Sequence, residues 1–112
     1  MRNKNFINII KETKELCEIL FQDKLYDFYL YGSYARGDYN KYSDIDLLIT
    51  LNISDKEIIK YRKQIVNITN TILKKYDIMV SIVIVPLDRF MQYSKVLPFY
   101  RNILKEGINY GK

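Results

Sequence analysis

Gly32-Ser33-Tyr34-Ala35-Arg36-Gly37-Asp38-Tyr39-Asn40-Lys41-Tyr42-Ser43-Asp44-Ile45-Asp46 is the stretch on which the fold turns. It joins two segments of strand character. Residues 26–31 are aromatic-rich and stop at Gly32, and residues 45–51 are apolar and follow directly on Asp44. Ten residues separate Ser33 from Asp44. Side chains alternate faces along a strand, so Asp44 and Asp46 point the same way, roughly 6.5–7 Å apart along the backbone. Two such carboxylates beside a glycine turn can hold a hard divalent cation and present it to a phosphate chain. The pattern points to chemistry on nucleoside triphosphates.

Working outward, Ala35 and Arg36 fit one helical turn before a polar loop. In the second strand Asp46, Leu48 and Thr50 share a face with Asp44, while Ile45, Leu47, Ile49 and Leu51 line the other. Upstream, Phe6, Ile9, Ile10, Leu16, Cys17 and Leu20 have helical spacing, which predicts a helix over 3–21. Downstream, Ser54 with Glu57 forms a capping box. It predicts one helix over 55–75 with Ile58, Arg62, Ile65, Thr69, Ile72 and Tyr76 along one side.

The β-branched run 78–85 reads as a buried central or near-central strand stopped by Pro86. A short helix over 88–93 follows. A last helix starts at Pro98, has Phe99, Ile103 and Leu104 as its apolar side, and ends at Gly107. The expected order is α-β-β-α-β-α-α. The short first connection allows antiparallel neighbours and the long helix between the second and third strands permits a parallel crossover. A small mixed sheet with packed helices, an α/β (α+β) fold, fits this order, with residues 1–112 expected as one domain. The strand at 26–31 could lie at an edge.

Composition excludes several chemistries. There is no histidine, which removes Ser-His, Cys-His and His-metal sites, and one cysteine, which removes an intrachain disulfide and a zinc cluster. Cys17 sits on an apolar stripe and reads as core. The net charge of +5 favours anionic partners, yet the lysines are scattered and no dense basic block appears. No apolar run approaches the ~20 residues of a membrane span, and the N-terminus has no leader pattern, so a cytoplasmic protein is expected.

Tyr31-Gly32-Ser33 followed by Asp44-Ile45-Asp46-Leu47, with Ala35-Arg36-Gly37 and Ser43 between, resembles the polymerase-β-like nucleotidyltransferase superfamily. It is most similar to the minimal, MNT-type members found beside HEPN-domain toxins. The likeness is strong over residues 28–51 and elsewhere rests on element order. It implies a nucleotidyltransferase fold and an enzyme that moves AMP, or another NMP, from an NTP to a hydroxyl. It further implies Mg²⁺ or Mn²⁺ as cofactor, ATP as the favoured NTP, and a HEPN-type partner protein in a toxin-antitoxin pair.

Carried onto this sequence, Asp44 and Asp46 are the catalytic and metal-binding candidates, and Gly32, Ser33 and Arg36 the nucleotide-binding ones. Gly32 would let the backbone approach phosphate oxygens, and Ser33 would bind the β- or γ-phosphate. Arg36 has a second, structural reading as the partner of Asp38 or Asp44. Tyr34, Tyr39 and Tyr42 lie near enough to stack on a base. Active relatives place a third carboxylate on the next core strand, where this chain has Ser81; Asp77 lies roughly 13 Å before it in an extended chain.

That departure supports the alternative of a degenerate binding module that holds nucleotide or partner without turnover. Nucleotide addition to RNA draws only on the basic charge and the superfamily's range. Since no helical domain follows residue 107, the acceptor is expected on another molecule.

Overall fold

A computed structural model describes residues 6–111. Helix α1, Phe6–Phe21, buries Ile9, Ile10, Thr13, Cys17 and Phe21 along one stripe. The Thr13 hydroxyl donates to the Ile9 carbonyl at 2.8 Å, so this polar residue enters the core satisfied. Burial pushes the Cys17 thiol up to about 12, as befits an inert core residue. The first three residues of the helix expected over 3–21 lie outside the described residues.

After a single 3-10 turn come β1, Leu25–Tyr31, the short helix α2, Ser33–Arg36, and β2, Ile45–Leu51. Then follow α3, Asp55–Lys60, α4, Arg62–Tyr76, and β3, Val80–Pro86. The last elements are α5, Leu87–Tyr93, α6, Pro98–Glu106, and β4, Ile108–Asn109. The sheet runs β3-β2-β1-β4, with β1 antiparallel to β2 and β4, and β2 parallel to β3. The parallel connection passes through α3 and α4, as the long crossover permits.

The two faces of β2 go to different helices. Ile45, Leu47, Ile49 and Leu51 join α1, Ile58 of α3 and Ile65, Ile68 and Ile72 of α4 in the larger core cluster. Leu48 joins Val85, Phe90 of α5 and Tyr100 and Ile103 of α6 in a smaller one. Asp46 shares that second face but lies beyond the small cluster, half-buried, at the end of the strand.

Several expectations change. β3 is an edge strand among the described residues, not a central one. Its β-branched run reflects cover on both faces, and side chains standing perpendicular to a sheet do not reveal whether a lateral neighbour exists. β1, conversely, is internal, because β4 pairs with its other side through Tyr29–Asn109 and Leu30–Ile108. Two residues are too few to show periodicity.

The helix expected over 55–75 breaks at Tyr61, whose φ of −96° and ψ of −6° leave the helical range. The Tyr61 ring packs edge-on against Phe21 at 5.0 Å, and its hydroxyl takes a hydrogen bond from Lys24 at 3.4 Å. In α4 Ile68, a residue absent from the expected stripe, is buried with Ile65 and Ile72, while Arg62 is exposed. In α6 the buried residues are Tyr100 and Ile103, while Phe99 and Leu104 are exposed. Pro98 opens that helix and Gly107 follows it as expected.

At the far end of the second face, Asp27 is 7% exposed and fully partnered. It accepts from Thr50 Oγ1 at 2.8 Å and from Asn109 Nδ2 at 2.9 Å, and its N–H donates back to Thr50 Oγ1 at 2.9 Å. Asn109 Oδ1 also accepts from the Phe28 and Gly111 amides. This network ties the last short strand to the sheet. Thr50→Val keeps the shape but leaves Asp27 Oδ2 and the Asp27 N–H without this partner, and a loss of about 1–3 kcal/mol is expected in urea unfolding. A variant as stable as the parent would show that the network contributes nothing.

Candidate active site

Gly32 sits at φ +76°, a conformation that a side chain makes costly. It caps α2, and its carbonyl accepts from the Ala35 and Arg36 amides at 3.1 and 3.0 Å. The Ser33 carbonyl in turn accepts from Gly37 and Asp38 at 2.9 and 3.1 Å, closing the turn with Gly37 in the left-handed region. The Ser33 hydroxyl makes no hydrogen bond among the described residues. Its N–H heads the turn, where no carbonyl within the turn can reach it.

Pairing of β1 with β2 places Tyr31 opposite Asp46, so the strand carrying the carboxylate ends beside the turn. A Cβ built on Gly32 would lie 2.5 Å from Asp46 Oδ2. The space at Gly32 is therefore occupied by the Asp46 carboxylate and is not kept open for a phosphate, which revises the reason expected for this glycine. Asp44, one residue outside β2, is exposed.

Parallel pairing of β2 with β3 places Ser81 level with Asp46 and on the same face. Among the described residues no group of three or more Asp, Glu, His or Cys could hold a metal. The acidic set is thus a pair, with a half-buried hydroxyl where a third carboxylate would stand. Asp77 ends α4 in the left-handed region and is exposed.

Burial is the main cause that pushes the Asp46 carboxyl above its ordinary value; the nearby Asp44 charge adds to it and Arg36 opposes it. An under-compensated acidic pair of this kind suits a hard divalent cation, which supplies the missing positive charge. The oxygen-only donor set, with no sulfur or imidazole, suits Mg²⁺ or Mn²⁺.

Arg36 donates from Nε to Asp38 at 3.2 Å and from Nη1 to Glu106 at 3.1 Å, not to Asp44. The Glu106 bond ties the turn to the end of α6, and both bonds lie in solvent, where such pairs add little to stability. Tyr34 and Tyr39 stack on each other at 4.2 Å with Phe6 against both, so their rings are used in holding the loop. Tyr42 stands 82% exposed.

The sequence reading did not select Tyr31, Phe99 or Glu106. Tyr31 is half-buried beside Asp46, and burial first, then the Asp46 charge, raises its phenol. Phe99 meets it edge-on at 5.6 Å. Alternation along β1 could have flagged Tyr31, but the two α6 residues are brought in only by packing. The corner lines none of three surface concavities, of which one of about 580 Å³ lies against α6 at Lys95, Arg101 and Lys105.

Residues 7–110 match the model of a nucleotidyltransferase domain family. Two relatives from Methanocaldococcus jannaschii, each named "Putative protein adenylyltransferase", are 41% and 35% identical over 105 and 104 residues. These alignments cover 94% and 93% of this chain, and 94% and 70% of the relatives. A toxin-antitoxin crystal structure with AMP-PNP superposes with a TM-score of 0.59 at 18% identity, over 92% of this chain and 73% of that one. A tri-AMPylated HEPN toxin of Shewanella oneidensis in complex with its MNT antitoxin gives 0.52 at 18%, over 100% and 74%. At these identities the structural likeness establishes the fold.

Two predictions follow from the corner. Gly32→Ala meets both positive φ and the Asp46 carboxylate, whereas Gly37→Ala at φ +86° meets no atom within 4 Å. Gly32→Ala should therefore lose more stability in urea unfolding, both because φ +76° with ψ −154° is essentially a glycine conformation, unlike the left-handed Gly37, and because the Asp46 carboxylate must move. Equal losses would remove the steric argument.

The second concerns pH. A carboxyl whose pKa is raised by folding contributes stability below its ordinary value of 3.8, and this is lost as pH rises through the folded-state value. Asp46→Asn should accordingly stabilise the chain at pH 7, with the gain shrinking below pH 3.8. A gain independent of pH would contradict this assignment.

Proposed function

Starting from the premise that this chain belongs to the nucleotidyltransferase domain family, we propose that it transfers AMP from ATP to a hydroxyl of a HEPN-type partner protein, as the antitoxin of a toxin-antitoxin pair. The observation that carries this reading is that the Asp46 carboxylate fills the space where a Gly32 side chain would stand. It puts an acidic, cation-hungry strand end against a turn whose first N–H and hydroxyl are available to an anion. The names of the M. jannaschii relatives support the reaction class, and the toxin-antitoxin neighbours support the kind of partner.

Asp44 and Asp46 are the residues that would hold Mg²⁺ or Mn²⁺, which when bound neutralises phosphate charge during transfer. The Ser33 N–H and hydroxyl bind a terminal phosphate and align the triphosphate over β2. Gly32 keeps the strand end and turn in contact. Arg36, held by Asp38 and Glu106, stiffens the turn and adds positive potential. In the reaction the acceptor oxygen bonds to the α-phosphorus, the α–β bridging bond breaks, and pyrophosphate leaves with that electron pair. Ser81 cannot take the hydroxyl proton at neutral pH, so the proton passes to solvent or to a carboxylate on the partner.

Ser81 level with Asp46 also favours a second reading, a module that binds without turnover. The two readings separate in one experiment. Purified chain, α-labelled ATP, Mg²⁺ and a HEPN-type partner should give a labelled partner, with Asp46→Asn abolishing the label. Ser81→Ala should change the rate little, while Ser81→Asp restores a positioned base of the kind worth about 10²- to 10⁴-fold. A stable complex without label or pyrophosphate under any metal would leave the binding module standing.

A further inference from the structure

β3 is bounded by β2 on one side, and no strand of the described residues lies on the other. The Ile45 amide donates to the Met79 carbonyl. With Asp46 level with Ser81, this turns the backbone polar groups of Ser81, Val83 and Val85 toward β2. Those of Ile82 and Ile84 face the open edge. Edge strands are usually blunted by charge, proline or a bulge. Residues 80–85 carry none, and their register with β2 is unbroken.

A groove of about 380 Å³ runs along this edge, with Ile58, Ile65, Val66, Ile82 and Ile84 as its apolar lining and Arg62 as its cation. From the second half of α3 through α4 the charged residues are all cations. No acidic residue occurs from Ile58 to Tyr76. Lys60, Arg62 and Lys63 make no ion pair among the described residues. The nearby acids are engaged, Asp55 with Arg89 and Glu57 in the capping box. A second copy paired edge to edge would set these cations against their own counterparts, which disfavours self-association.

We propose that the β3 edge and its groove dock an extended, acidic and apolar segment of a partner protein by strand addition. Ile82 and Ile84 supply the backbone hydrogen bonds. Alternate apolar side chains of the segment enter the groove, and its carboxylates meet Lys60, Arg62 and Lys63. Adjacent strands lie ~4.8 Å apart, so the segment runs beside Ser81 at the border of the candidate site. The docking stands without the transfer reaction, and its test uses neither nucleotide nor turnover.

The probe is a short synthetic peptide of alternating Glu and Val, titrated into the ¹⁵N-labelled full chain, with a Lys and Val peptide as control. Hydrogen exchange at the Ile82 and Ile84 amides should slow on adding the acidic peptide. The control peptide should bind at least about tenfold more weakly, and the double variant Arg62→Glu, Lys63→Glu should weaken the acidic peptide by about the same factor. Equal binding of the two peptides, or binding that leaves Ile82 and Ile84 unprotected, would overturn the proposal. So would a free chain that sediments as a dimer with those amides already protected.

Discussion

Contact between Gly32 and Asp46 is the constraint on which the site depends. The carboxylate occupies the volume of an absent side chain, and φ +76° with ψ −154° suits glycine, so β1 turns into α2 most cheaply with glycine there. Strand register enforces the meeting, because Tyr31 pairs opposite Asp46 and one further residue reaches the turn. The cost is an acid whose ionised form is disfavoured by burial and by Asp44. Functional sites commonly hold such uncompensated charge, since a ligand that supplies the opposite sign then binds with more energy.

The sheet separates stability from chemistry by its two faces. Alternate residues of β2 put Ile45, Leu47, Ile49 and Leu51 into the large cluster with α1 and α4. The other face is covered at its middle by α5 and α6, sealed at one end by the Asp27–Thr50–Asn109 network, and left half-exposed at the Asp46 end. No helix of the described residues is long and apolar enough to cross a membrane. Apolar character is spent on the two cores and on the groove beside β3.

Much of the site was legible because it is local in sequence. Gly32, Ser33, Ala35, Arg36, Asp44 and Asp46 fall within fifteen residues, and the strand–turn–strand pattern is read from period and glycine placement alone. Even the level of Ser81 with Asp46 could be anticipated, since two regular strands joined by a crossover leave few registers. The edge position of β3 was not legible. Neither were β4, the break at Tyr61, or the approach of Phe99 and Glu106, each of which depends on a partner far away in the chain.

Sequence by itself determined most element types, the faces of β2, the paired acids and the turn that meets them, because short-range periodicity and backbone preference act before any packing. Tertiary structure alone decided lateral order in the sheet, which aromatic rings support the loop, and that Glu106 joins Asp38 in holding Arg36. Those outcomes follow from long-range contacts. The energy of a ring on a ring, or of a strand on an edge, is set by three-dimensional neighbours that no local pattern encodes.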